Sequence, residues 1–365
     1  MKILITVPSL AREFGGPAIK VLGLAKALRD RGHHVVVLGC GEANGEVGLS
    51  SIGRFHSTPV PRHLRRLMRL ARRADVVHVI GYRDPVGTIT AIAASRARVP
   101  VVLEPVGMLR PRMRSPHLKS LFDQTIGRKV VAAASAFVAT SSLERFDLVV
   151  GGVDPRRIFV RPNGLDVGEL FPLPSRGQFR ARLNIGDGPM ILTIARICAT
   201  KGLSQLVSAL ADLPEAVCLI AGPDERDGTL DDLRRLRCAL GLKDRLRLLV
   251  GGLWDREKAQ ALADADCFCM PSPLESYGQG VAEAAAVGLP VVASSGCGVV
   301  ERLDPGATRV FTYGDAAGLL SSIRDALGRD EIRSAAIAAA PSIRRALRWE
   351  EVIAAQEAIY AGALG

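Results

Sequence analysis

The chain has 365 residues, and a single hydrophobic core stops growing at roughly 250–300, so two domains are expected. Apolar residues at 48% and charged residues at 23% exclude a disordered chain, and aromatic residues at 4% argue against a stacking surface for single-stranded nucleic acid. The net charge of +11 is unevenly held: residues 1–170 carry 26 Lys and Arg against 13 Asp and Glu, the remainder 22 against 24, so an anionic partner is expected at the first half alone.

In chain order, the apolar run at the start is short and is followed by Pro8 and Arg12, so Lys2–Val7 reads as a buried first strand and not as a signal peptide. AIKVLGLAKALRDRG has helical spacing and ends on Gly32. HVVVLGC is a strand, LRRLMRLARR a helix, DVVHVIGY a strand, PVGTITAIAASRAR a helix and PVVLEPV a strand, with VVAAASAFVATS and RIFVRPNG continuing the series. FPLPSRG, residues 171–177, breaks the alternation and reads as a linker. Beyond it the alternation restarts, from MILTIAR through GLSQLVSALADL, AVCLIAG, TLDDLRRLRCALG, RLRLLVGG, REKAQALADA, CFCMPS and GVAEAAAVG to PVVASS. Continuous Val, Ile and Leu runs between helices predict parallel strands covered on both faces, hence two doubly wound α/β sheets with ligands beyond the carboxyl ends of the strands and in a cleft between them. No run of about 18 or more apolar residues occurs, so no membrane span is expected. Seven cysteines without a CxxC pair suit a reduced, cytoplasmic setting, and six histidines without ligand spacing to them give a zinc site no support.

Three stretches carry chemistry. In PSPLESYGQGVAEAAAVGLPVV, Glu283 is the one charge in an otherwise apolar helical run and Glu275 precedes it in the turn. A buried carboxylate needs a cation, backbone amides or ligand hydroxyls; the alternative is an Ala-rich helix with one exposed face. Gly278 and Gly280 flank the helix start, where backbone N–H groups can approach an anion, but no P-loop lysine follows. In IARICATKG, Arg196 and Lys201 follow a strand and suit a diphosphate, or else form a solvated basic loop. FGGPA, with Gly15 and Gly16 between strand and helix, lacks the third glycine of a dinucleotide fingerprint.

Taken together, Glu275-x7-Glu283, Arg196-x4-Lys201-Gly202, Gly15-Gly16, RPNGLDVGELFP at 161–172 and WEEVIAAQEAIY at 349–360 resemble the retaining GT-B glycosyltransferases of family 4 over nearly the whole chain. The resemblance implies two Rossmann-like doubly wound domains facing a central cleft. Residues 1–170 would form the acceptor-side domain, rejoined by a closing helix at about 348–365, and residues 171–347 the donor domain. It implies that Arg196 and Lys201 hold the donor diphosphate, that Glu283 accepts ribose hydroxyls and that Glu275 contacts the donor sugar. Backbone amides of Gly278, Gln279, Gly280 and Val281 would meet sugar and phosphate, with Gly15 and Gly16 bringing first-domain backbone to the phosphate. No metal or other cofactor is expected; the partners would be a nucleotide-sugar donor and a carbohydrate or lipid-linked acceptor, as in polysaccharide synthesis, with no nucleic acid. His78, Met108 and Arg110 would lie on the acceptor side, although Ile80 stands where many relatives have a second His and Val106 where many have His or Arg. Two other functions fit the fold: a sugar-nucleotide epimerase, against which the two Glu argue, and a non-catalytic sugar-nucleotide binder, against which the retention of Arg196, Lys201 and Glu275 argues.

RHLRRLMRLARR, residues 62–73, spaces Leu64, Leu67, Met68 and Ala71 at helical intervals among Arg62, Arg65, Arg66, Arg69, Arg72 and Arg73. With Arg110, Arg112 and Arg114 it suits an anionic membrane surface on the cytoplasmic side, or else a core-packed helix with a solvated arginine face.

Overall fold

The structure is a computed structural model that describes residues 1–11, 15–41, 49–51, 61–109 and 120–364. The chain forms two compact units, Met1–Gly164 with Trp349–Gly365, and Leu165–Arg348. It thus leaves the first unit between Gly164 and Leu165, ahead of the 170/171 boundary expected from the proline-rich stretch. The physical reason lies in the second unit: Leu165 bridges Arg348, its N–H donates to the Leu347 carbonyl at 2.6 Å, and Leu165 and Leu170 are buried in the second unit's core.

In the first unit the strands are β1 (Lys2–Ser9), β2 (His34–Cys40), β3 (Leu49–Ser51), β4 (Val76–Ile80), β5 (Val101–Glu104), β6 (Ala134–Ala139) and β7 (Ile158–Val160). They form one parallel sheet in the order β3-β2-β1-β4-β5-β6-β7. The helices are α1 (Gly16–Asp30), α2 (Pro61–Arg73), α3 (Pro85–Arg96), α4 (Arg128–Ala133) and α5 (Ser142–Val150). VVAAASAFVATS, a single run in the sequence, is the end of α4 passing directly into β6. Alternate strand residues enter opposite cores, as a period of two requires. Leu4, Val77, Leu103 and Phe137 meet α2, α3, α4 and α5, while Ile3, Ile5, Val76 and Val102 meet α1 and the closing helix Trp349–Leu364. Continuous apolar runs are therefore needed, because neither face sees water.

A buried polar cluster fastens the closing helix. Glu104, at the end of β5, accepts from Arg161 at 2.7 Å and from the Lys20 ammonium, all three buried. His78 lies beside them, its Nε2 3.2 Å from Glu104 Oε2, and its Nδ1 shares a hydrogen bond with the Tyr360 hydroxyl at 2.8 Å. Burial and the charges of Arg161 and Lys20 hold the imidazole well below its usual pKa, hence neutral, and burial likewise lowers Lys20. His78 is 0% exposed, and its Nε2, although close to Glu104, makes no hydrogen bond among the described residues. At the other end of the helix the Trp349 indole lies against Gly23 of α1 and Gly164. A Cβ on either glycine would fall 2.1 Å and 2.2 Å, respectively, from the ring.

The second unit contains α6 (Val167–Leu170), α7 (Gln178–Leu183), β8 (Met190–Ile194), α8 (Leu203–Leu210), β9 (Val217–Gly222), α9 (Thr229–Ala239), β10 (Leu246–Val250), α10 (Asp255–Asp264), β11 (Cys267–Met270), α11 (Gln279–Ala286), β12 (Val291–Ser294), β13 (Thr308–Phe311), α12 (Ala316–Gly328) and α13 (Asp330–Ala346). Its parallel sheet runs β10-β9-β8-β11-β12-β13. Again two cores form, one around Leu192, Phe268, Met270 and Val291, the other around Ile191, Cys267, Cys269 and Val292. Cys218, Cys267 and Cys269 are wholly buried there, and burial pushes the Cys218 thiol up to about 12; these cysteines pack as small apolar groups.

Replacing Gly164 with Ala forces the new methyl group into the Trp349 ring, and overpacking of this kind costs about 1–3 kcal/mol. The Gly164→Ala variant should unfold at lower urea than wild type, with Gly23→Ala behaving alike. Unchanged midpoints in both would show that the indole does not occupy this slot.

Candidate functional site

In a doubly wound sheet a crevice opens where the strand order reverses, beyond the carboxyl ends of the two strands involved. In the second unit those strands are β8 and β11. Arg196 and Lys201 follow β8, Glu275 follows β11, and α11 begins four residues later.

The segment after β8 is laid along the continuation of β9. Ala195 N–H donates to Ala221, Ile197 N–H to Pro223 at 2.8 Å, and Glu225 N–H returns to Ile197. Arg196, partly exposed, therefore faces Glu225 and ion-pairs with it. A single 3-10 turn, Ala199–Lys201, ends on Gly202 at φ +63°. A Cβ at Gly202 would stand 2.3 Å from the Pro271 carbonyl oxygen, so only glycine lets this turn close on the segment after β11. That closure brings the Lys201 ammonium onto the Glu275 carboxylate, a charge-assisted hydrogen bond between two residues 74 apart in sequence.

Glu275 is held from behind by backbone. Its N–H donates to Gly296 at 2.8 Å and its carbonyl accepts from Gly298 at 2.9 Å, tying the segments after β11 and β12 together. Gly278, at φ +103°, enters α11; a Cβ there would lie 2.6 Å from Cys297 Sγ. Gln279, Gly280 and Val281 form the first helical turn, whose N–H groups precede the first intrahelical acceptor and carry the positive end of the helix dipole. The Val281 side chain is fully buried, so only its backbone can serve a ligand.

Glu283 is 8% exposed, as expected of a carboxylate in an apolar helix. Of the three kinds of partner the sequence allowed, the fold supplies a cation: Lys258 of α10 donates to Glu283 Oε1 at 3.0 Å, with both side chains buried. Sequence reasoning missed Lys258. The available signal was its place on the buried stripe of α10 with Ala261 and Leu262, an apolar face on which a lysine is out of place. Glu225 was also missed. Of the predicted residues, then, the structure joins Lys201 to Glu275, gives Arg196 and Glu283 partners of their own, and sets Gly278–Val281 at a helix start.

In the first unit the order reverses between β1 and β4. Gly15, at φ +86°, and Gly16 lead from β1 into α1, and among the described residues no atom beyond its chain neighbours and its own helix backbone lies within 4 Å of where a Gly16 Cβ would be. After β4, Arg83 donates to Asp123, to the Leu109 carbonyl at 2.7 Å and to the Met108 carbonyl, fixing the turn that contains Val106. Met108 is thus placed beside the carboxyl ends of β4 and β5, whereas Arg110, Arg112 and Arg114 lie outside the described residues. On α2, Leu67 and Ala71 are buried against the sheet, Leu64 and Met68 are half-buried, and Arg65, Arg66, Arg69, Arg72 and Arg73 are exposed. The apolar stripe is spent on the core. Among the described residues no group of three or more His, Cys, Asp and Glu could hold a metal ion, and no helix is long and apolar enough to cross a membrane.

Two family models divide the chain much as the two units do. "Glycosyl transferase 4-like domain" matches residues 15–164 and "Glycosyl transferases group 1" residues 175–342. A D-inositol 3-phosphate glycosyltransferase of Xylanimonas cellulosilytica is 30% identical over 96% of this chain and 92% of its own length. The chain belongs to the group 1 glycosyltransferases. Among solved structures, Anabaena Alr3699/HepE in complex with UDP-glucose superposes with a TM-score of 0.82 at 21% identity, covering 99% of this chain and 100% of that one. Sucrose-phosphate synthase of Thermosynechococcus elongatus gives 0.77 at 19%, covering 99% and 98%. These likenesses define the fold as GT-B, built from two Rossmann-like units.

Asp84 caps α3 through the Gly87 N–H at 2.8 Å, but its Oδ2 is buried without a hydrogen-bond partner among the described residues, and burial pushes the carboxyl up to about 6. An acid with a raised folded pKa is proton-bound more tightly in the folded state, so stability falls as pH rises from about 4 to about 6 and the cost persists above. Asp84→Asn keeps the cap and removes the ionisation. Its melting temperature should exceed that of wild type at pH 7.5, by a stabilisation of about 2–3 kcal/mol, and match it at pH 4. Equal melting temperatures at both pH values would contradict the assignment.

Proposed function

We propose that this enzyme takes its sugar from a nucleoside diphosphate sugar held by the second unit and transfers it with retention of anomeric configuration. The observation that carries this is the Lys201–Glu275 contact at the reversal of the strand order, beside the start of α11. Two cations and a helix N-terminus at one crevice suit a diphosphate, and a carboxylate in hydrogen-bonding reach of one of them suits the hydroxyls of the sugar attached to it. Arg196 and Lys201 then bind the diphosphate, Glu275 the sugar and Glu283 the ribose.

As the anomeric C–O bond breaks, negative charge develops on the departing diphosphate. Arg196, Lys201 and the amides of Gly278–Val281 are fixed in advance to stabilise it, which is worth more in a partly desolvated crevice than in water. The acceptor hydroxyl adds to the same face of the sugar, its proton passing to the leaving phosphate oxygen. Neither glutamate acts as a hydrolase acid or nucleophile, since each is engaged by a lysine rather than left to flank the bond. The charge that the reaction needs comes from these side chains, and the chemistry is proposed to run without a metal. The Anabaena neighbour was solved with UDP-glucose, which makes uridine sugars the first donors to assay. For the acceptor we propose a carbohydrate carried on a lipid at an anionic membrane surface, supported by the five exposed arginines of α2 on the basic first unit.

Arg196→Ala and Lys201→Ala should each lower transfer by about 1.5–3 kcal/mol, roughly 10- to 150-fold, with folding intact. Glu283→Gln should weaken the free nucleoside diphosphate and the donor alike, whereas Glu275→Gln should spare the former and weaken only the latter, as read by calorimetry. Identical losses in the two variants would reject this division of roles. Product analysis distinguishes the alternatives: a new glycoside is expected, while an epimerised donor or an unchanged one would overturn the reading.

Vesicle co-sedimentation checks the membrane surface. Binding should rise with the fraction of anionic lipid, fall with salt, and be lost when Arg65, Arg69 and Arg73 are changed to Glu. Equal binding to neutral vesicles, or by the charge-reversed protein, would exclude it.

A further inference from the structure

The pair at Lys258 and Glu283 differs from the pair at Lys201 and Glu275 in where its lysine comes from. Lys201 ends a 3-10 turn in a connecting segment. Lys258 lies within α10, a ten-residue helix whose C-terminal end is fixed, because Asp264 accepts from the N–H groups of Phe179 at 2.7 Å and Arg180 at 2.8 Å at the start of α7. Lys258 itself is 6% exposed among Ala259, Ala261 and Leu262. An ammonium in such a place is costly unless a carboxylate answers it, and an alanine or leucine would fill the position at no such cost. Resting on the donor-site reading above, we propose that Lys258 is a positioning residue for the nucleotide: it occupies Oε1 of Glu283, holds the carboxylate in one orientation, and thereby leaves Oε2 to accept the two ribose hydroxyls.

The chemistry is consistent. A carboxylate offers about four acceptor positions, so one ammonium does not exhaust it. With Oε1 anchored from a rigid helix, the side chain cannot turn to satisfy itself elsewhere, and a ribose meets a preformed acceptor. On this proposal Lys258 acts on the nucleotide through Glu283, so its effect falls on ligands that carry ribose hydroxyls. This separates it from a residue that merely supports the fold, which would weaken every nucleotide equally.

The test is a calorimetric comparison of UDP, GDP and ADP with their 2′,3′-dideoxy forms. For whichever diphosphate the wild type binds, removal of the hydroxyls should weaken binding about tenfold or more, the loss expected for hydrogen bonds to a charged acceptor. In Lys258→Met the natural diphosphate should bind only as well as the dideoxy form, so that the ratio falls towards one while the dideoxy form binds as it does to wild type. Lys258→Arg should restore most of the ratio. Lys258→Gln, a neutral donor, should give an intermediate one and serves if the Met variant does not fold. In turnover the loss should fall on the donor KM rather than on kcat. A ratio unchanged in Lys258→Met and Lys258→Gln, or an equal loss for both forms of the nucleotide, overturns the proposal while leaving the donor site standing. Failure of all three diphosphates to bind wild type overturns the donor site and this proposal together.

Discussion

Glu283 sits in a helix whose other buried residues are alanine and valine, and an isolated carboxylate there would cost several kcal/mol. The second unit meets that cost with Lys258, and much of the site's arrangement depends on the contact. It joins α10 to α11, and α11 in turn begins at the turn that carries Glu275 towards Lys201. The ion pairs at the reversal of the strand order are thus linked through short backbone segments whose own hydrogen bonds run to neighbouring strand ends. A crevice built this way is polar yet largely self-compensated, which suits a ligand that brings both negative charge and hydroxyl groups.

The first unit applies the same physics to another end. Glu104 is also a buried carboxylate, but two cations and a neutral imidazole answer it, and the cluster extends to Tyr360 on the closing helix. Here the polar groups specify which helix fills the last place on the sheet. An apolar face alone would accept many helices; a face with a histidine nitrogen at a set point accepts one that presents a hydroxyl there.

Much of this could be read from the sequence. Val, Ile and Leu runs such as those of β1, β4 and β8 announce strands covered on both faces, and Gly202 and Gly278 mark places where backbone approaches backbone. The need of Glu283 for a partner was equally legible. The partner's identity was not, because Lys258 is 25 residues away and a lysine in a helix is ordinarily taken for a solvated one. His78 was ambiguous for the same reason: its hydroxyl partner lies 282 residues distant, and no local pattern reports it. The passage between units was misplaced towards FPLPSRG because prolines advertise a linker, while the pairing of Leu165 with Arg348 leaves no compositional trace.

The closing helix has a consequence for how the protein is made. Synthesis runs from the N-terminus, so the first unit's seven strands and most of its helices leave the ribosome before any part of the second unit exists. Yet one face of its sheet, with Ile3, Ile5 and Val102, is covered in part by residues 349–364, and the slot between Gly23 and Gly164 is filled by Trp349. The first unit is therefore completed only after the whole of the second has been made. Until residues 349–364 emerge it carries an open apolar flank and a buried-charge cluster lacking its hydroxyl, while the second unit, contiguous in sequence, can close as soon as Arg348 is free.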